Sequence, residues 1–349
     1  MAEWIDIRSM NMEELTDALV EVGEKKFRAK QIYGWVHQKL VRSPEEMKNV
    51  PKSCLDKLLK DHPFYGVNEV ERHVSKIDGT MKFLFSLHDG NIVESVLMKY
   101  KHGNSVCISS QAGCRMGCRF CASTLLGLSR NLYPSEMLDQ IYAIQKATGE
   151  RVSHIVVMGT GEPFDNFEAL CRMIEMISAP EGLNIGHRNI TVSTCGIVPK
   201  IYEFADRNPQ ITLAISLHAP NDEMRRNLMP IANRYSMEEL MKAARYYVDQ
   251  TRRRITFEYS LVKGVNDRKE DAAQLTELVR GLNCHINLIP VNPIKERDFV
   301  QSDQNNVTAF KHMLERQHIQ VTVRREMGRD ISAACGQLRK GYKERGGNG

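Results

Sequence analysis

No run of about 18 apolar residues occurs anywhere in the sequence, so it offers no candidate for a membrane-spanning helix. The opening MAEWIDIRSMNMEE lacks the basic and apolar regions of a secretory leader, and the expectation is a cytoplasmic protein with no membrane partner. Low-complexity segments and short-period repeats are also missing. With 42% apolar and 26% charged residues, a disordered or fibrous chain is excluded. Charge of one sign is scarce over most of the length: the whole net charge of +5 resides in Lys311 to Gly349, which carries nine Lys/Arg against four Asp/Glu. A basic tail suits a polyanionic partner. Further basic clusters at Lys25, Lys26, Arg28 and Lys30, at Arg225 and Arg226, and at Arg252 to Arg254 extend that expectation.

At 349 residues the chain has room for one large domain and a small one. Residues 1–75 carry helical periodicity, with Leu15, Leu19 and Val22 on one face and Phe27, Ile32, Trp35 and Val36 on another, and read as a helical accessory domain. Residues 76–99 follow as a β-hairpin extension, KFLFSL and IVESVLMKY flanking the turn HDGN. Residues 100–349 then repeat one unit, an apolar run followed by a stretch of helical period. The runs begin at Val106, His154, Asn189, Ile211, Ile255, His285 and Val321. Continuous apolar runs predict strands covered on both faces, hence an α/β fold with six to seven mainly parallel strands in a full or partial barrel. Chemistry in such a fold sits at the C-terminal strand ends, and here those ends turn polar one after another.

The stretch NSVCISSQAGCRMGCRFCAS places Cys107, Cys114, Cys118 and Cys121 within fifteen residues, out of nine cysteines in all. In a reducing compartment such clustering points to metal ligands or catalytic thiols. Two centres compete. Tetrahedral zinc could recruit Cys107 as its fourth ligand, and a 4Fe-4S cubane on three thiolates would leave one iron open to a substrate. A second C-x2-4-C pair is missing, which favours the cubane. The rival is a non-catalytic zinc protein that binds RNA through its basic tail.

With Phe120 ahead of the last cysteine, CRMGCRFC resembles the CxxxCxΦC motif of the radical S-adenosylmethionine enzymes. Adding QAG, GEP, TVST, SLHA, Asn292-Pro293 and a terminal ACGQL, the chain is similar over most of its length to the RlmN-type adenine methyltransferases that act on 23S ribosomal RNA. That resemblance implies a partial (βα) barrel with a 4Fe-4S cluster on Cys114, Cys118 and Cys121. It implies two S-adenosylmethionine molecules per turnover, held by Gly161, Glu162, Ser193, Ser216, Leu217, His218 and Asn292. It also implies a detour around an electron-poor ring carbon. Cys335 becomes S-methylated, a 5′-deoxyadenosyl radical takes a hydrogen atom from that methyl group, and the carbon radical adds to carbon 2 of adenine. Cys107 then resolves the adduct through a transient disulfide with Cys335, while Glu94 accepts the ring proton. By residue type alone Glu94 reads as an exposed strand glutamate. Implied partners are 23S rRNA, transfer RNA in some relatives, and an electron donor such as flavodoxin or ferredoxin. A resistance-type relative that methylates carbon 8 shares almost every one of these positions; the proline of GEP, the alanine of SLHA and Asn292-Pro293 resemble the carbon-2 form. Cys54, Cys171, Cys195 and Cys284 read as structural.

Overall fold

The computed structural model describes residues 6–292 and 298–331. Asn11 opens the first helix, its side chain accepting from Glu14 N while Glu14 reaches back to Asn11 N, both at 2.9 Å. The N-terminal module comprises α1 (Met12–Glu21), α2 (Phe27–His37) and α3 (Lys52–Asp61), which turn Leu15, Leu19, Ile32, Val36, Leu55 and Leu58 inward. Three antiparallel strands follow, β1 (Asn68–Val74), β2 (Met81–Ser86) and β3 (Ile92–Tyr100). The expected hairpin is therefore joined by an outer strand, whose sequence NEVERHV is polar and largely exposed, as suits a sheet edge.

β4 (Gly103–Cys107) pairs antiparallel with β3 and parallel with β7 (Val152–Val157), so the extension is continuous with the main sheet. Between them lie the short ribbon β5 (Gln111–Gly113) with β6 (Leu128–Asn131), and α4 (Pro134–Thr148). The alternation continues through α5 (Phe167–Ser178), β8 (Ile190–Thr194), α6 (Val198–Arg207), β9 (Thr212–Ser216), α7 (Asp222–Leu228) and α8 (Met237–Thr251). It ends with β10 (Ile255–Leu261), α9 (Lys269–Val279), β11 (Cys284–Pro290), α10 (Gln304–Glu315) and β12 (Gln320–Val323). Strand order is β1-β2-β3-β4-β7-β8-β9-β10-β11-β12, with every pairing from β4 onward parallel. All seven apolar runs are strands of this sheet. It is a partial barrel. Among the described residues no helix is long and apolar enough to cross a membrane.

One continuous apolar core runs from the N-terminal helices through the extension into the barrel. α4 lies at the junction and is buried from Pro134 to Ile144. On it, Asp139 is paired with Arg8 and with Arg42 (2.5 Å), and accepts from Val67 N at 2.6 Å. His37 meets Tyr142 at 2.9 Å, and Arg172 of α5 reaches Glu14 at 2.6 Å.

Candidate active site

The cysteine loop leaves β5 at Gly113 and runs to a short 3-10 turn at Ala122–Thr124. Gly117 bends it at φ +70°, a conformation that favours glycine. Cys114 and Cys118 are buried and Cys121 is half-buried. Burial pushes all three thiols up, Cys114 to about 12, and each lies within electrostatic reach of another. Among the described residues no three His, Cys, Asp or Glu side chains close tightly enough to hold a single ion. Cys118 packs in an apolar jacket with Cys195, Ala219, Leu228 and Met229, Cys121 packs against it with Met116, Phe120 and Ile231, and Cys114 is buried on the same loop. Three soft donors in a dry, water-excluding shell on one loop fit an iron-sulfur cluster. Phe120 also packs edge-on against the His218 ring, centroids 4.7 Å apart, which ties the loop to the SLH segment.

Gly161 adopts φ +115°, and a Cβ there would sit 2.7 Å from Gln111 Cβ. Only glycine lets this turn close on β5. The following Glu162 is buried: its carboxylate accepts from Phe164 N (3.0 Å), Thr194 Oγ1 (2.7 Å) and Cys195 N (2.7 Å), and its own N donates to Gln111 Oε1 (2.8 Å). Burial raises its pKa against those donors. The Cys195 thiol is a further hydrogen-bond partner, so the carboxylate is held fast by its own surroundings.

Ser193 and Ser216 are half-buried near the ends of β8 and β9. The chain leaves β9 at Leu217, where the Leu217 and His218 amides both donate to Glu258 O and His218 adopts φ +56°. This shortens the expected run from Ile211 to Ala219. His218 Nδ1 accepts from Ser260 N at 2.9 Å, which fixes the neutral ring with hydrogen on Nε2; burial lowers its pKa to about 3. Asn292, exposed just past β11, makes no contact that ties it to these groups among the described residues. Cys335 and Pro293 lie outside the described residues.

Cys107 ends β4, opposite Val96 and Val156. Burial raises its thiol pKa, against Arg324 and Lys82, while Glu94 adds to the rise. Glu94 itself is not the exposed glutamate that residue type suggested: it is 3% exposed and pairs with the fully buried Lys82 at 3.1 Å. Its strand neighbours on both sides are covered, so alternation could not reveal this. Glu94 also acts on Cys121, so the cluster loop and the Cys107 group face a common interior. Ser109 joins them further, donating to Glu94 O (2.7 Å) and accepting from Thr160 N (3.0 Å).

One residue of the basic clusters needs correction. Arg225 is fully buried and cannot meet a polyanion. Arg252 to Arg254 precede β10, at the end of the barrel opposite the cysteine loop, where Arg253 and Arg254 bond Thr212 and Gln320. Exposed Lys25, Lys26 and Lys30 remain available, as do Arg324, Arg325 and Arg329. The sequence reading missed Gln111, Ser109, Lys82 and Glu258, and took Arg225 for a surface charge. Only Gln111 left a trace, as the first letter of QAGC.

The profile of the radical SAM superfamily matches residues 108–276, and that of the ribosomal RNA large subunit methyltransferase N-terminal domain matches residues 5–62. The probable dual-specificity RNA methyltransferase RlmN of Lachnospira eligens is 63% identical over 339 residues, covering 97% of each chain. Its counterpart from Lachnoclostridium phytofermentans is 59% identical over 345 residues, 99% of this chain and 97% of its own. The crystal structure of a radical SAM methyltransferase from Sphaerobacter thermophilus matches with a TM-score of 0.90 at 43% identity, over 95% of this chain and 98% of that one. Likeness of that degree along both chains removes the non-catalytic zinc reading, and the cysteine loop now has its chemistry: the chain belongs to the RlmN family of radical S-adenosylmethionine RNA methyltransferases.

Proposed function

We propose that the enzyme methylates carbon 2 of an adenosine in 23S rRNA, and of an adenosine in transfer RNA, by way of S-methylated Cys335. The names of its relatives support RNA as substrate, one family profile being that of a large-subunit ribosomal RNA methyltransferase and the curated relatives being dual-specific. Cys114, Cys118 and Cys121 hold the cluster, and Glu162, Ser193, Ser216, Leu217, His218 and Asn292 hold S-adenosylmethionine, with Gly161 shaping the turn. The cluster and its bound S-adenosylmethionine supply a 5′-deoxyadenosyl radical. A flavodoxin or ferredoxin in the cytoplasm supplies electrons.

The observation that carries the two-thiol reading is the company Cys107 keeps. Its neighbours are Glu94, Lys82 and Arg324, whereas Cys114 and Cys118 answer chiefly to the other cluster thiols and Glu162. Burial holds Cys107 as a thiol, and therefore unreactive, until a proton acceptor is engaged. Arg324 and Lys82 then stabilise the thiolate that attacks Cys335 Sγ. As the new S–S bond forms, the S–C bond breaks and its electron pair stays with the methylene carbon, which takes up a proton to become the methyl group on adenine; Glu94 takes the ring proton, and the one electron in excess after radical addition would pass to the cluster.

Mass spectrometry of nucleosides from treated ribosomal and transfer RNA tests the reading: 2-methyladenosine in both is expected, and 8-methyladenosine alone would overturn the ring position. Cys107→Ala should accumulate RNA joined to the Cys335 peptide through a methylene bridge. Continued release of methylated RNA by that variant would refute the resolving role.

A further inference from the structure

α7 carries a charge the mechanism does not use. Arg225 is 0% exposed, and its guanidinium donates to Cys195 O (2.6 Å), Ser216 O (3.2 Å) and Leu217 O (3.3 Å). Its Nη1 is buried with no hydrogen-bond partner. Among the described residues no carboxylate lies within ion-pair distance of it. Asp222, on the same helix, acts on it only from farther off and is occupied in accepting from Met237 N at 2.8 Å. A buried cation with carbonyl partners alone is costly to keep. What it does face is the jacket around Cys118: it bonds the carbonyl of Cys195, which packs in one cluster with Cys118, and the end of its own helix holds the cysteine loop, Leu228 O accepting from Arg119 N at 2.9 Å. The next turn, Leu228 and Met229, forms part of that jacket.

We infer that Arg225 is the counter-charge of the iron-sulfur cluster, a positioning residue that stabilises the added electron when the cluster is reduced. The inference rests on the reading that Cys114, Cys118 and Cys121 hold that cluster. Three thiolates leave such a centre anionic, and the entering electron, with no proton accompanying it, makes it more so. Carbonyl oxygens cannot offset that charge, and the jacket keeps water out. A fixed guanidinium behind Cys118 can. Its three carbonyl bonds come from the ends of β8 and β9, so the same side chain holds the strand ends around the loop.

The test separates charge from shape. Wild type, Arg225→Lys and Arg225→Gln are reconstituted anaerobically, assayed for iron and sulfide, and titrated with a reductant while the reduced cluster is followed by electron paramagnetic resonance, without S-adenosylmethionine. A unit charge acting across about 12 Å at an effective dielectric of about 20 changes a one-electron equilibrium by roughly tenfold, and by more at shorter range. Arg225→Gln, poised where wild type is half reduced, should therefore show a reduced-to-oxidised ratio lower by about that factor, whereas Arg225→Lys stays close to wild type. Arg225→Gln failing to take up iron while Arg225→Lys succeeds would also support the assignment. Equal failure of both would overturn it, because charge would then be irrelevant. So would an unchanged potential in Arg225→Gln, including one accompanied by lost S-adenosylmethionine binding, which would assign Arg225 to the co-substrate. A wild type lacking iron and sulfide would overturn the cluster reading itself.

Discussion

Asp139→Asn should loosen the N-terminal module before it harms the barrel. The carboxylate is fully buried on α4 and takes Arg8, Arg42 and Val67 N at once, so it is the point where the first 70 residues are fastened to the sheet. Burial works to raise its pKa, but Arg8 and Arg42 outweigh it and hold the carboxyl below its ordinary 3.8. Neutralising it strands Arg8, whose side chain is 2% exposed, at a cost of about 3–5 kcal/mol. For a chain of this size that lowers the melting temperature by on the order of 10 °C. Trp35 lies on α2, and no tryptophan follows it in the sequence, so its fluorescence reports the module while circular dichroism reports the helices of the whole chain. The two urea transitions should separate in Asp139→Asn, fluorescence moving first. Combining Asp139→Leu with Arg8→Met should recover part of the loss, since the fully buried unpaired charge is then gone and only the partly exposed Arg42 is left without its carboxylate. Because the folded pKa is the lower one, the stabilisation is present above about pH 4 and fades as pH falls through the folded value. A loss under about 1 kcal/mol, or coincident transitions, would refute the claim that this carboxylate fastens the module.

Cys118→Ala should lose the cluster absorbance and all production of 5′-deoxyadenosine; a variant that still makes it would remove Cys118 from the ligand set. Lys82→Met removes the cation that pairs with Glu94 at 3.1 Å, so release of methylated RNA should slow while S-methylation of Cys335 proceeds unchanged; release at the wild-type rate would dismiss the pair from proton transfer. Neutralising the exposed Arg324, Arg325 and Arg329 together should reduce the slope of log affinity against log salt by about 1 for each phosphate no longer neutralised, as filter binding would measure. An identical slope would put the RNA on another surface, for which exposed Lys25, Lys26 and Lys30 are the ready alternative.

The parallel strands were legible because a strand covered on both faces must be apolar throughout, and seven such runs stand out from helical stretches. β1 was not, because an edge strand exposed to water carries Asn68, Glu69, Glu71 and Arg72 and no alternation betrays it. The ends of strands were uncertain for a related reason. SLHA looks like a continuation of β9 by composition, yet a left-handed His218 and two amides on one carbonyl turn the chain away at Leu217.

In the site, what the sequence carried was chemistry of scarce types: thiols at fixed spacing, a glycine before a glutamate, a histidine beside a strand end. What it concealed was charge, because a charged residue is expected at the surface and nothing local marks the exception. Glu94, Lys82 and Arg225 are each enclosed by tertiary packing, the first two as a pair between neighbouring strands β2 and β3 and the third by the ends of β8 and β9. Grouping Arg225 with Arg226 as one basic cluster therefore joined residues with opposite surroundings, one solvated and one enclosed. The distinction bears on function directly. A solvated arginine can attract RNA and is screened by salt, whereas an enclosed one acts at short range on the Cys118 thiol, where salt does not reach it. Raising ionic strength should then weaken RNA binding through Arg324 and Arg325 while leaving the cluster's reduction potential where it was.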